Sequence, residues 1–247
     1  MESSVIKYPV IKPMGERSIL IEFEPEISEK CLEKVLFYKN LLKDECFKER
    51  VEVISTYNSL LVYYVSNIDI IYDEVLRLKQ LISRTNVIKK QQSKLYYLPV
   101  CYEGEFGLDL DLISAQKNLP VNEIIELHTT PFYTVYFTGF LPGFLYLGGL
   151  DKKLQISRRE SPRLAVQKGA VGIGENQTGI YPRSSPGGWQ IIGNSPINFF
   201  NKNTDPPCQI SAGDKVKFHS ISRKEYDVIL EEIQSDKFQL KWEKYEG

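Results

Sequence analysis

The chain has 247 residues, of which 42% are hydrophobic and 26% charged, as is usual for a globular protein with one large or two small domains. The formal net charge of −1 provides no overall field that would attract nucleic acid or an anionic membrane, so any anion binding must come from a local cluster. The N-terminal residues lack the pattern of a secretory signal, and the four cysteines form no CxxC pair, so we expect a cytoplasmic protein without a metal site.

Strand and helix patterns alternate through the first 90 residues. Alternating apolar residues predict strands, and apolar residues at helical spacing, such as Cys31, Val35 and Leu42, predict helices. The predicted elements are a strand at 18–23, a helix at 24–43, strands at 51–57 and 59–65, and a helix at 69–83. This order is typical of a split βαβ, ferredoxin-like α+β domain, which we assign to residues 1–90. The polar stretch 86–94 marks the boundary, and whether it holds the last strand is left open.

Glycine, proline and short strand patterns dominate the second predicted domain, residues 91–247. It opens with a strand at 95–102 and two short amphipathic helices that meet at Leu119-Pro120, with Asn122 as the expected N-cap of the second. Further strands are predicted at 170–173, 189–192 and 215–220, and little helix is expected after Tyr133. This pattern is typical of a mainly β domain, a closed barrel or a sandwich.

The run from Thr129 to Leu150 contains no Asp, Glu, Lys or Arg. Its length would allow a membrane span, but four glycines and two prolines would break the helix that a span requires. We therefore predict a buried strand at 133–138 followed by a Gly/Pro loop whose aromatic residues are exposed. Whether this loop borders a binding pocket or a subunit interface is left open.

Common catalytic and nucleotide-binding motifs are absent from the sequence. It contains no GxGxxG, no GxxxxGK[ST] and no GxSxG, and its two histidines are too few for a histidine-rich metal site. His128 follows an apolar helix face, so it is either a packing residue or an acid–base group.

Arginines are concentrated in one short segment, as Arg158, Arg159 and Arg163. Guanidinium groups this close repel one another unless an anionic ligand, a carboxylate or solvent lies between them, and Glu160 with solvent is the simplest possibility. The glycine-rich turns that follow carry Gln177, Tyr181, Arg183 and Trp189. These turns either approach a ligand or form tight barrel corners with Trp189 in the core.

Four stretches of the sequence resemble one known family. They read HTTPFYTVYFTGFLPGFLYLGGLDKKL, SPRLAV, GAVGIGENQTGIYPRSSPGGWQIIGNSP and SAGDKVKF. They are similar to the family of bacterial 5-oxoprolinase B subunits, which includes KipI-type proteins, and to subunit 1 of allophanate hydrolase-type carboxyltransferases. The resemblance covers essentially the whole chain. Departures from the family pattern lie at Ser157, Gln167, Lys168, Ala170 and Glu175, and whether they change substrate or activity is left open.

The resemblance implies an N-terminal α+β domain and a C-terminal cyclophilin-like barrel. It also implies a component, inactive alone, of an enzyme that uses ATP to hydrolyse 5-oxo-L-proline to L-glutamate together with A and C subunits. In this interpretation His128 is the catalytic residue, and the substrate-binding residues are Arg158, Arg163, Gln177 and Tyr181. The expected interface residues are Phe140, Pro142, Phe144, Tyr146 and Trp189. The alternative is a regulatory protein that inhibits a sporulation sensor histidine kinase, with prolyl isomerisation as a weaker third possibility.

Overall fold

The computed structural model describes residues 7–45, 51–84 and 92–246. The chain divides into two units, Met1–Gln91 and Gln92–Gly247. The described elements of the first unit are β1 (Val10–Pro13), β2 (Ser18–Glu22), α1 (Glu29–Glu45), β3 (Val51–Ser55), β4 (Ser59–Tyr64) and α2 (Ile71–Ser83).

The first unit is one antiparallel sheet of order β1-β2-β4-β3. Strand β4 lies between β2 and β3, which is the arrangement of a split βαβ unit. The strand next to β2 on its other side is β1, which precedes it in the chain and was not predicted. The ferredoxin-like assignment is therefore not confirmed. Of the stretch 86–94, where a last strand was left open, residues 86–91 lie outside the described residues.

Apolar residues at alternating strand positions and at helical spacing form the core of the first unit. Its most buried members are Ile19, Ile21, Val35, Leu42, Leu60, Val62 and Leu78. This core explains why strands and helices form in the predicted order, although α1 begins at Glu29, five residues later than predicted.

The second unit is mainly β. Its strands are β5 (Ser93–Cys101), β6 (Tyr133–Thr138), β7 (Leu145–Gly148), β8 (Arg163–Val166), β9 (Ala170–Gly174), β10 (Gln177–Ile180), β11 (Ser185–Gly187), β12 (Gln190–Asn194), β13 (Lys215–Ile221) and β14 (Trp242–Tyr245). Its helices are α3 (Leu110–Lys117), α4 (Val121–Thr129) and α5 (Arg223–Gln234), with single 3₁₀ turns at Gly104–Phe106 and Lys152–Leu154.

Seven strands close into a barrel of order β12-β9-β10-β7-β6-β13-β5. The pairing of Asn194 with Cys101 joins β12 to β5 and closes the ring. Strand β14 adds to β5, and β8 pairs with β11 as a separate hairpin. The closed barrel confirms the prediction of a mainly β second domain. Its centre is filled by aliphatic and aromatic side chains, including Leu98, Val135, Leu147, Ile173 and Val216.

Two local predictions in this unit are wrong. Helix α5 was missed, although Ser222 and Glu225 form the reciprocal capping box that starts it. Helix α4 begins after Pro120, so Asn122 is inside the helix instead of capping it. The predicted strand at 133–138 is confirmed as β6. Within the described ranges, no helix combines the length and the apolar character that a membrane crossing requires.

Candidate functional site

The arginine segment is held by backbone contacts to the chain that enters β12. The Arg159 N–H donates to the Gly188 carbonyl at 2.7 Å, and the Gln190 side-chain amide donates to the Ser157 carbonyl at 3.1 Å. Arg163 then opens β8 and pairs with Gly187 of β11. The segment is thereby fixed on the barrel, and the guanidinium of Arg158 has different neighbours from those of Arg159 and Arg163.

Arg159 and Arg163 converge on the buried carboxylate of Asp109, and we call these three residues the Asp109 cluster. Arg163 Nη2 is 2.7 Å from Asp109 Oδ1, and Arg159 Nη1 is 3.5 Å from the same oxygen. The other oxygen, Oδ2, accepts the Ile191 N–H at 2.6 Å. Asp109 therefore ties the start of α3 to β12 while it holds both arginines.

A cleft of about 670 Å³ adjoins the Asp109 cluster, between α3 and the arginine segment. Its lining residues are Leu112, Gln116, Lys117, Gln155, Ile156, Ser157, Arg158, Arg159, Glu160, Ser161 and Gln190. Three of these side chains are basic and only Glu160 is acidic, so the cleft attracts anions. Lys117 donates to the Gln155 carbonyl, which links the two walls.

Arg158 lies over a set of aromatic rings that we call the aromatic bed, formed by Phe144, Tyr146, Tyr181 and Trp189. Its guanidinium carbon is 5.6 Å from the centre of the Trp189 ring, within cation–π range. The Phe144 ring contacts Tyr181 and Trp189 edge-on, with ring centres 5.1 and 5.5 Å apart. Burial raises the pKa of the Tyr181 phenol.

Glycines under Trp189 make the aromatic bed possible. A Cβ atom at Gly174 or Gly179 would lie 2.7 or 2.8 Å from the indole ring, closer than real Cβ contacts allow. Trp189 is thus packed against bare backbone, which agrees with its alternative interpretation as a core residue.

Two of the predicted interface aromatics are not exposed. Phe144 has 1% of its surface exposed and Trp189 has 4%, because both belong to the apolar cluster beneath Arg158. The expectation of surface exposure is wrong for Phe144, whereas the burial of Trp189 agrees with the core position that the sequence left open. Pro142 is exposed and Tyr146 is half-buried. Phe140 is 64% exposed, and its φ of 66° places it in the left-handed region.

His128 is completely buried in the barrel. Its Nδ1 is 2.8 Å from the Tyr102 hydroxyl, its Nε2 is 2.9 Å from the Thr178 hydroxyl, and its ring stacks on Phe218. Burial lowers the His128 pKa to about 3, so the ring stays neutral near pH 7. Of the two roles that the sequence left open, this geometry favours packing over acid–base chemistry.

The structure separates the four predicted substrate-binding residues. Arg158 lies on the aromatic bed, and Arg163 is bound to Asp109. Tyr181 is buried within the bed, and Gln177 is a buried residue at the start of β10. Sequence reasoning missed Asp109 as the carboxylate between the arginines and had named Glu160 and solvent instead. The only local signal is an acidic residue just before α3, and its distance in sequence from Arg163 hides the pairing.

Metal ligation has no basis in the described part of the chain. No group of three or more His, Cys, Asp or Glu side chains is arranged there to hold a metal ion. The cysteines described, Cys31, Cys101 and Cys208, are free thiols.

Comparison with known protein families places the chain in the carboxyltransferase class. The model of the family "Carboxyltransferase domain, subdomain C and D" matches residues 9–210. Urea amidolyase from Kluyveromyces lactis shares the fold, with a TM-score of 0.77 and 22% identity over 95% of this chain and 16% of that chain. A Pyrococcus horikoshii protein, PH0987, is 40% identical with a TM-score of 0.53, covering 88% of this chain and 100% of that chain.

More similar relatives identify the family within this class. The 5-oxoprolinase B subunit of Bacillus subtilis is 35% identical over 90% of this chain and 97% of the relative. The 5-oxoprolinase B subunit of Haemophilus influenzae is 39% identical over 84% of this chain and 96% of the relative. The chain belongs to the family of 5-oxoprolinase B subunits.

Proposed function

We propose that this chain is the B subunit of an ATP-dependent 5-oxoprolinase that hydrolyses 5-oxo-L-proline to L-glutamate together with A and C subunits in the cytoplasm. The observation that carries the proposal is the extent of the similarity to proteins named as 5-oxoprolinase B subunits, which spans nearly the full length of those relatives. The same names favour the hydrolase over the regulator of a sensor histidine kinase. No nucleic acid or membrane partner is part of this function.

The exposed guanidinium of Arg158 is the group that we assign to the carboxylate of 5-oxoproline. Arginine binds a carboxylate through two parallel N–H donors, and the Trp189 ring beneath Arg158 restricts where the guanidinium can lie. Tyr146, which is half-buried beside Trp189, provides an apolar edge for the lactam ring. We keep Gln177 and Tyr181 as proposed substrate-binding residues, which would act from beneath the surface that Arg158 and Tyr146 form.

ATP provides the energy to open a stable cyclic amide, and we assign its binding to the assembled complex. The sequence has no phosphate-binding loop that would hold it on this chain. Binding of the reacting molecule by one component of the complex and of ATP by another explains why we expect the single chain to be inactive.

Phe140 and Pro142 are the residues that we propose for contact with the C subunit. Both are exposed, and aromatic side chains often anchor interfaces of this kind. We further infer that the second unit is cyclophilin-like, from its closed seven-strand barrel. We also infer that the first unit is ferredoxin-like; the position of β4 between β2 and β3 supports this, with β1 at the edge of the sheet.

The test is reconstitution. The chain is co-expressed with candidate A and C subunits, and glutamate release is measured with and without ATP and 5-oxoproline. We expect release only from the full complex, and Arg158→Lys should lower it about tenfold to a hundredfold, because lysine cannot make two parallel hydrogen bonds. Arg183→Lys, a change at another exposed arginine, is the matched control. Turnover by the purified chain alone, or by none of the assembled complexes, would overturn the proposal.

A further inference from the structure

The Asp109 cluster contains more positive than negative charge. Two guanidinium groups share one carboxylate, and one oxygen of that carboxylate is also bound by the Ile191 N–H. A partly buried guanidinium that lacks an anionic partner is unfavourable, because it has lost part of its hydration. Asp109 therefore neutralises only one of the two positive charges in the cluster.

Unused hydrogen-bond donors accompany this excess charge. Arg159 Nε and Arg163 Nη1 are buried and lack a hydrogen-bond partner among the described residues. Each guanidinium has five N–H donors in a fixed plane, so Asp109 occupies only one edge of each. The side chains still expose 33% of Arg159 and 20% of Arg163, and Arg159 is one of the residues that line the adjoining cleft.

The cleft beside the cluster has room for such a ligand. Its volume of about 670 Å³ exceeds that of a small oxyanion many times, and its walls carry Lys117 and Arg158 as further positive charges against one acidic residue, Glu160. Helix α3 provides the opposite wall, and its amide side chain Gln116 is a further donor there. This wall distinguishes the cleft from the aromatic bed, where Arg158 faces Trp189.

We propose that the cleft between α3 and the segment 155–161 binds a small oxyanion, a carboxylate or a phosphate group, through Arg159, which lines the cleft and shares Asp109 with Arg163. Asp109 holds the two guanidinium groups side by side, and the oxyanion supplies the second negative charge. Carboxylate and phosphate oxygens both match the paired N–H donors of arginine, so they share this recognition chemistry. The site belongs to this chain alone and does not require the partner subunits.

The experiment is a titration of the purified full-length chain with sodium phosphate and, separately, with sodium acetate. Arginine Nε–H signals are followed by ¹H–¹⁵N NMR, and chloride keeps the ionic strength constant. We expect the Arg159 signal to shift and saturate, and Arg159→Gln to weaken binding at least tenfold, since hydrogen bonds to charged groups are strong. The probe that binds more tightly identifies the class of the natural ligand.

Controls separate this site from general attraction of anions. Arg183→Gln removes an exposed arginine outside the cleft and should leave the affinity within about twofold, as expected for screened surface charge. Thermal unfolding of each variant checks that the fold is kept. If wild type and Arg159→Gln bind both probes equally, or if neither probe shifts the Arg159 signal at saturating concentrations, the proposal is overturned. Because no partner protein is present, this outcome leaves the 5-oxoprolinase assay unaffected.

Discussion

The arginine segment has an inner face, with Arg159 and Arg163, and an outer face, with Arg158. The two faces differ in the group that the guanidinium contacts. On one face Arg159 and Arg163 are drawn onto the buried carboxylate of Asp109, and on the other Arg158 rests on Trp189 at the surface. Neighbouring residues of identical chemistry therefore have different roles, because backbone contacts to Gly188 fix which way each side chain leaves the chain. The comparison teaches that a cluster in sequence need not be a cluster in space.

We expect the largest loss of stability when an aromatic ring that supports the outer face is removed. Phe144 lies under Trp189 and Tyr181, so Phe144→Ala leaves a cavity and should lower the free energy of unfolding by about 3–5 kcal/mol. Phe140→Ala is the matched control in the same loop, and its exposed ring should contribute less than about 0.5 kcal/mol. Urea unfolding measures both. Equal losses for the two variants would show that the loop packs differently.

The inner face should depend on the Asp109 carboxylate for its stability. Asp109→Ala removes the anion between Arg159 and Arg163 and the acceptor of the Ile191 N–H, and should cost about 3 kcal/mol of unfolding free energy. Asp111→Ala, on the exposed first turn of the same helix, should cost at most about 1 kcal/mol through the helix dipole. Chemical denaturation of the two variants compares them directly. A neutral Asp109→Ala variant would mean that solvent replaces the carboxylate at no cost.

The burial of a titratable side chain, His128, predicts that the stability of the fold depends on pH. Burial lowers the folded-state pKa of His128 to about 3, whereas the unfolded value is about 6.5. The unfolded chain thus binds a proton that the folded chain does not, and stability falls as pH drops below 6.5. We expect this residue to account for a loss of about 2 kcal/mol between pH 7 and pH 5.

Two histidine variants isolate that contribution. His128→Gln should flatten the pH dependence of urea unfolding over this range. His219→Gln, at the more exposed histidine of β13, should remove less of it, although desolvation lowers the pKa of His219 as well. A His128→Gln variant that keeps the full slope would contradict the assignment. A pH–rate profile of the assembled enzyme that loses a titration with His128→Gln, while the fold is kept, would restore its acid–base role.

Elements with local signals were predictable from the sequence, and contacts between distant residues were not. Strand β6 was predicted at its observed bounds, because β-branched and aromatic residues run unbroken between proline and glycine. Helix α5 was missed although Ser222 and Glu225 signal its start, because the glycines and prolines between Tyr133 and Gly213 favoured strands for the whole domain. The pairing of Asp109 with Arg163 depends on how β12 closes the barrel, which no local pattern encodes.

The exposure of aromatic residues was predicted least well. Phe140 and Phe144 share one Gly/Pro loop, yet one ring points outward and the other packs under Trp189. Composition gives both the same expectation, because it contains no information on which glycines leave room for a ring. Gly174 and Gly179 provide that room from two other strands, so the answer depends on tertiary packing.

The smallest expected effect compares lysine on the two faces directly. Arg163→Lys keeps the charge but loses the planar donors that hold Asp109 Oδ1, so it should lower the free energy of unfolding by about 1 kcal/mol. Arg158→Lys should change it by less than about 0.5 kcal/mol, since a lysine can also lie over Trp189 and the site is exposed. Urea unfolding at constant ionic strength resolves this difference if the two variants are measured side by side. Equal values for both would mean that Arg163 is held no more firmly than Arg158, and the distinction between a structural inner face and a ligand-binding outer face would then fail.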